Sequence, residues 1–189
     1  MTGGVSYSYR VTALDTGDNE SAPSGTVSAT PTLEPTNPDN LVGNGSFEGG
    51  LSGWATWRAS ATAVAGGAVG SSAARVSFAG PGVGYAFTTA PRPVNPTATG
   101  SRYRAQAQVR SETPGRRVCL VLREWSSAST ALPVVGSCVT ASRSWQPFPP
   151  LEYTTQQSGG SLELYVEQGG AAAGDSLDLD DVTLLSMPQ

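Results

Sequence analysis

Through most of this chain, apolar and polar residues alternate one by one. Val5, Tyr7, Tyr9, Val11 and Ala13 are interleaved with Ser6, Ser8, Arg10 and Thr12. The pattern returns at Ala74, Val76 and Phe78, and at Val83, Tyr85 and Phe87. It returns again at Tyr103, Ala105, Ala107 and Val109, at Val118, Leu120 and Leu122, and at Leu162, Leu164 and Val166. A period of two places successive side chains on opposite faces of a strand, so each run predicts a half-buried β-strand. Between the runs lie turn-forming clusters such as Gly80-Pro81-Gly82, Thr113-Pro114-Gly115 and Ser158-Gly159-Gly160. Many short strands separated in this way predict an all-β sandwich. No segment carries a helical period, and no internal repeat is evident.

The strand-like run near the N-terminus is set apart from the rest. Thr16-Gly17-Asp18-Asn19-Glu20-Ser21 makes a turn after it, and a second polar strand is expected over roughly residues 24–30. Pro31, Pro35 and Pro38 then punctuate a stretch that favours extended, unpaired backbone. The expected organisation is a β-hairpin unit at 1–31, a Pro-rich linker at 32–38 and a main domain at 39–187.

Composition narrows the function. The net charge is −4 and no basic cluster occurs, so no positive stripe is available to neutralise phosphates and nucleic acid is not an expected partner. No apolar run approaches the roughly 20 residues of a membrane-spanning helix, and no membrane partner is expected. All 11 basic residues are arginine, the mark of a GC-rich genome, and a bacterial source is expected. Histidine is absent, which removes the commonest general base and transition-metal ligand. The two cysteines, Cys119 and Cys138, fall in separate strand-like runs. An even count in a small β domain suits a disulfide formed in an oxidising compartment, with two buried thiols as the alternative. Met1-Thr2-Gly3-Gly4 has neither a charged start nor an apolar core, so a signal peptide is not in this chain. A secreted protein would then be longer than this segment.

Two signatures bracket the main domain. One is Asn40-Leu41-Val42-Gly43-Asn44-Gly45-Ser46-Phe47-Glu48, followed by Gly53-Trp54; the other is Leu177-Asp178-Leu179-Asp180-Asp181-Val182-Thr183-Leu184. Together they resemble the first and last strands of carbohydrate-binding modules of the family 4, 9 and 22 type, over residues 38 to 187. The resemblance implies a β-sandwich jelly roll, and a structural Ca²⁺ shared by Glu48 and Asp180, with Asp181 as the next candidate. Oxygen ligands of this kind suit a hard cation, and an ion between two carboxylates would relieve their repulsion. Residues 5–30 resemble the last two strands of a fibronectin type III domain, although the turn before Asn19 is one residue longer than in that pattern. Such domains space the modules of secreted polymer-degrading enzymes. The implied setting is therefore extracellular, in a monomeric chain with a covalently attached catalytic domain.

A sugar site needs flat aromatic faces and hydrogen-bonding neighbours on the polar side of core strands. Phe47, Phe78, Tyr85, Phe87 and Tyr103 lie in register with apolar residues and read as core; Trp54 and Trp145 read as packing. That leaves Trp57, Trp125 and Tyr165, with Arg123, Gln106 and Gln108, as the expected polysaccharide-binding face. The bland alternative has the tryptophans plugging the sandwich ends and the glutamines simply solvated. Catalysis is not expected. No Ser-His or Cys-His pairing exists without histidine. The "E-x-D-x-x-E" strand of jelly-roll glycosidases is absent, and Glu163 and Glu167 suit a solvated or sugar-binding pair better than an acid and base. The expected function is a non-catalytic module that targets an enzyme to β-glucan or xylan. The rival is a structural or adhesion module of the same shape that binds no sugar.

Overall fold

In the computed structural model, described here for residues 6–29, 39–128 and 130–188, every regular element is a β-strand. The chain divides into two compact units, Met1–Pro35 and Thr36–Gln189. The expected linker at 32–38 lies outside the described residues.

In the first unit, β1 (Tyr7–Tyr9) pairs antiparallel with β2 (Val27–Ala29), Tyr7 opposite Ala29. The predicted long strands are much shorter than the alternation suggested, and they are not half-buried: Tyr9, Val11 and Val27 are exposed. Beyond Tyr9 the two arms are laced by side chains: Ser24 Oγ accepts from the Val11 amide and Ser21 Oγ from the Ala13 amide. The turn closes on Asp15, whose carboxylate accepts from the Gly17 and Asn19 amides and from the Asn19 side chain. Those bonds hold the Asp15 carboxyl below its usual range, the Asn19 side chain contributing most.

The second unit contains β3 (Trp54–Trp57), β4 (Ala59–Ala65), β5 (Ser72–Phe78), β6 (Gly84–Thr89), β7 (Arg102–Arg110) and β8 (Arg117–Trp125). It continues with β9 (Val135–Thr140), β10 (Gln146–Pro147), β11 (Leu151–Thr154), β12 (Ser161–Gly169) and β13 (Ser176–Met187). They form two antiparallel sheets. One runs β3-β6-β12-β8-β9; the other runs β10-β7-β13-β5-β4, with β11 also on β7. This is the two-sheet sandwich the alternation predicted, with jelly-roll character. The inner faces carry the predicted residues: Tyr85, Phe87, Val118, Leu120, Leu122, Leu162, Leu164 and Val166 from the first sheet. Ala74, Val76, Tyr103, Ala105, Ala107 and Val109 come from the second, joined there by Leu177, Leu179, Val182 and Leu184, while Val83, read in phase with Tyr85, lies before β6 and is exposed. Each large side chain taken out of water in this way contributes roughly 1.5–3 kcal/mol.

The two signature segments lie side by side. Leu41 N donates to Leu184 O at 2.9 Å, Leu184 N donates to Asn40 Oδ1 at 2.9 Å, and Val182 N donates to Gly45 O at 2.9 Å. Gly45 is required by this approach, because a Cβ there would stand 2.0 Å from the Val182 carbonyl oxygen. Asn44 ties the following loop by donating to Gly50 O and Ser52 O, and Phe47 packs against Trp54 and Phe87. Most of the N-terminal signature is thus structural.

Candidate functional site

The outer face of the five-stranded sheet is built by register. Trp57 stands opposite Ala86, Ala86 opposite Glu167, Glu167 opposite Cys119, and Cys119 opposite Cys138. One row of side chains therefore crosses all five strands. Strands lie about 4.8 Å apart, so Trp57 and Glu167 flank the small Ala86 at a separation on the order of 10 Å. The missing bulk at Ala86 opens a groove of about 370 Å³ lined by Trp57, Ala86, Thr88, Arg123, Glu163, Tyr165 and Glu167. Its size is that of a small-ligand site. Cys119 and Cys138 form a disulfide, and with Val121, Ala86 and Tyr165 they make an apolar floor on this otherwise polar face.

Trp57 is the aromatic that reaches solvent here, at 52% exposure. It ends β3, and Arg58, the single residue between β3 and β4, carries the chain from one sheet to the other with φ 52°. The Arg58 guanidinium carbon lies 4.2 Å from the Trp57 ring centroid. Trp125 behaves differently. Its Nε1–H donates to Glu163 Oε2 at 2.8 Å, and the Arg92 guanidinium carbon lies 4.3 Å over its ring. Glu163 also accepts from the Thr88 hydroxyl at 2.9 Å. Arg123 Nη2 donates to the Tyr165 hydroxyl at 2.8 Å. Tyr165 is 5% exposed, and burial pushes its hydroxyl up to about 12, with Arg123 pulling the other way and Glu167 and Glu163 adding to the rise. Trp125, Tyr165, Arg123 and Glu163 are thus a hydrogen-bonded wall, while Glu167 and Trp57, the latter with Arg58 over its ring, remain open to solvent.

Of the residues expected on one sugar-binding face, Trp57, Arg123, Trp125 and Tyr165 do share it. Gln106 and Gln108 do not: they belong to β7 in the other sheet, opposite Thr183 and Asp180 of β13. Polar alternation shows that a side chain points away from the core, but not which of the two outer faces it joins. Thr88, Ala86, Glu163 and Glu167 complete the groove instead. The alternation of β6 and β12 marks them as outward-facing; only register brings them beside Trp57.

Glu48, Asp180 and Asp181 lie where the domain's two ends meet. Glu48 Oε1 accepts from the Ser71 and Ser72 amides, both at 2.6 Å, and Oε2 accepts from the Ser71 hydroxyl. Burial raises its pKa most, but these three donors together outweigh burial and hold it below the usual range. Gly70, at φ 74°, lets the loop close on it, since a Cβ there would stand 2.6 Å from Glu48 Oε1. Asp180 grips the same loop: Oδ2 accepts from the Val69 amide at 2.9 Å. The residue is fully buried, and its Oδ1 has no hydrogen-bond partner among the described residues. Burial pushes the Asp180 carboxyl up to about 6, against the pull of backbone donors. Asp181 sits at φ 49° in a bulge of β13, and burial raises its pKa as well. Among the described residues no group of three or more His, Cys, Asp or Glu side chains gathers into a metal cluster. A buried, unpartnered carboxylate oxygen is nonetheless costly, and a hard cation sharing it with backbone carbonyls fits the donor chemistry.

No protein-family profile matches the sequence, and no curated protein matches it. Solved structures do share its fold. The enzymatically active domain of bacteriophage CBA120 tailspike protein 4 superposes with TM-score 0.63 at 13% identity, covering 84% of this chain and 22% of that one. The chain therefore spans under a quarter of that relative. The Clostridium thermocellum xylanase 10B family 22 module with its catalytic domain, complexed with xylohexaose, gives 0.59 at 16% identity, covering 78% and 29%. A family 16 carbohydrate-binding module gives 0.56 at 22% identity, covering 77% of this chain and 99% of that one. The chain thus has the β-sandwich fold found in carbohydrate-binding modules.

Proposed function

We propose that residues 39–187 are a non-catalytic carbohydrate-binding module of the family 4, 9 and 22 type. In this reading it binds a β-glucan or xylan chain across the outer face of the five-stranded sheet. The observation that carries the reading is Trp57: a half-exposed indole at the edge of a polar trough whose other wall is pre-bonded. A pyranose ring stacks its apolar C–H face on Trp57, and its hydroxyls donate to Glu167 across the gap left by Ala86. The walls need no reorganisation, because Arg123, Glu163, Trp125 and Tyr165 already satisfy one another, which limits the entropy lost on binding. The module acts outside the cell as a monomer, in a longer bacterial chain where it holds a catalytic domain close to polysaccharide. Residues 1–31 are the end of a fibronectin type III spacer.

Calorimetric titration with xylan, β-glucan and xylo-oligosaccharides tests the reading. Wild-type protein should release heat with at least one of them, and Trp57→Ala should weaken binding at least tenfold, about 1.4 kcal/mol. Silence with every polysaccharide would leave the spacer reading, which the internal bonding of Trp125 and Arg123 favours.

A structural Ca²⁺ belongs to this proposal. Asp180 Oδ1 would hold it, with Asp181, Glu48 and loop carbonyls as further oxygen donors, and the ion would neutralise the buried charge. Thermal unfolding reads this directly. Calcium at about 100 times its dissociation constant should add about 2.7 kcal/mol of stability, removed by chelator. An unchanged melting temperature in calcium and in EDTA would count against the ion.

A further inference from the structure

Arg58 stands apart from the other arginines that lie over an aromatic ring. Arg92, Arg110 and Arg123 each give an N–H to a partner: Ser161 Oγ at 2.8 Å, Asp178 Oδ2 at 2.9 Å and the Tyr165 hydroxyl at 2.8 Å. The Arg58 guanidinium carbon lies 4.2 Å from the Trp57 ring centroid, yet its side chain has no hydrogen bond or ion pair among the described residues. The charge is nonetheless held in place. Ala79 N donates to the Arg58 carbonyl at 3.0 Å, which brings the Gly80-Pro81-Gly82 turn alongside. A Cβ on Gly80 would stand 2.7 Å from Arg58 Cβ, and one on Gly82 would collide with Nη1. The Arg58 side chain therefore lies against the turn from stem to head. Its backbone is left-handed, at φ 52°, where a long side chain is uncommon. Gly or Asn would adopt that conformation at lower cost, so the crossover from β3 to β4 gives no reason by itself for arginine.

A guanidinium that stacks on a ring uses its flat face and keeps its N–H fork in the plane. That fork matches a carboxylate with two parallel hydrogen bonds. Arg58 offers it from the residue next to Trp57, which lines the groove. The rest of the groove has the opposite sign or no charge to spare. Glu163 and Glu167 line it from β12, and Arg123 is engaged by Tyr165 and lies 3.8 Å from Glu163. An acidic substituent is therefore favoured at the Trp57 edge and disfavoured at the β12 wall. Glu167, on the order of 10 Å from Trp57, is close to one Debye length away at 0.1 M salt, so its repulsion is largely screened there.

We propose that Arg58 determines specificity by taking the carboxylate of a uronic acid carried by the glycan that stacks on Trp57. The inference rests on the sugar-binding reading above. It makes the ligand an acidic, uronate-bearing polysaccharide, and it fixes the side of the groove on which the uronate sits.

Titration of the full chain with a glucuronic acid-substituted xylo-oligosaccharide, and with the same compound after its carboxyl is reduced to an alcohol, tests it. A cello-oligosaccharide containing one glucuronate unit and its reduced form make a second pair. The members of each pair differ at one carbon only. Wild-type protein should bind the acidic member of the bound pair about tenfold more tightly, and that ratio should shrink as salt is raised. Arg58→Asn, which suits left-handed backbone, should bring the ratio to about one. Arg58→Gln replaces it should the first variant fold poorly. Reading the ratio cancels any effect of losing the stack on Trp57. Equal wild-type affinity for the two members would overturn the role of Arg58, and so would a ratio that survives its replacement. In both cases sugar still binds and the groove reading stands. Failure of the wild-type protein to bind any member of either pair would remove the groove and the carboxylate site together.

Discussion

Two tryptophans that look equivalent in the sequence sit in different environments at atomic scale. Each carries an arginine over its ring, but Trp125 also gives its N–H to Glu163, whereas Trp57 is half open to water. Trp125→Ala should therefore act partly through stability, leaving Glu163 a bond short at a cost of about 1–3 kcal/mol. Paired chemical denaturation and titration of Trp57→Ala and Trp125→Ala check this. Trp57→Ala should lose ligand with little loss of stability, and equal destabilisation of the two would contradict the assignment. Asp180 carries a second prediction at this scale. Its carboxyl is raised to about 6 from an ordinary 3.8, so the folded state holds that proton more tightly than the unfolded chain. For a raised acid the sign is destabilising on ionisation: its stability contribution is best below about pH 4 and declines as pH rises through about 6. In EDTA, Asp180→Asn should remove that decline. Superimposable pH–stability curves for wild type and variant would refute it.

At the scale of elements, β13 decides most. Its apolar residues fall at 177 and 179, then at 182 and 184, so the alternation slips by one residue at Asp180-Asp181. A strand can keep one face buried through such a slip only by inserting an extra residue. The structure places the register shift between Asp180 and Thr183, with Asp181 left-handed. The bulge sets Asp180 against the loop that Glu48 also grips, its Oδ2 accepting from the Val69 amide. Gly45 is the matching feature in the opening segment. Gly45→Ala should cost about 3 kcal/mol or more, since the obstruction is a backbone carbonyl that no rotamer change can move. Urea unfolding measures this; a loss under 1 kcal/mol would mean the two segments can separate without penalty.

For the whole molecule, stability resides in contacts distant in sequence: the first described strand-forming residue of the sandwich, Asn40, bridges Leu185. The Cys119–Cys138 disulfide staples β8 to β9 across a sequence separation of 19. Its removal in the Cys119→Ala/Cys138→Ala double variant should lower stability by about 2–4 kcal/mol. Because Cys119 packs with Tyr165 beneath the groove, the same variant should also weaken sugar binding. Thermal unfolding and titration of one preparation report both effects. Unchanged ligand affinity would separate the floor from the site.

How much of this was legible followed from the range of each interaction. A period of two is local, so the strands with strong alternation, their buried faces and the core aromatics could be read residue by residue. The edge strands β3 and β4 were not read, because small and polar residues such as Ala59 to Ala65 carry little apolar contrast. The meeting of the two ends was legible only through a resemblance. Its cause, a glycine opposite a carbonyl, is invisible in one dimension. The sequence by itself determined that the chain would fold as antiparallel strands and, along the sandwich strands, which side chains would leave water; Tyr9, Val11 and Val83, read in the same phase, stay exposed, because phase marks a face and not what covers it. Only the tertiary structure decided that Gln106 and Gln108 belong to the other sheet, that Trp125 is spent, and that Ala86 opens a groove beside Trp57. Those outcomes depend on strand order and register, which are set by pairing between segments far apart in the chain.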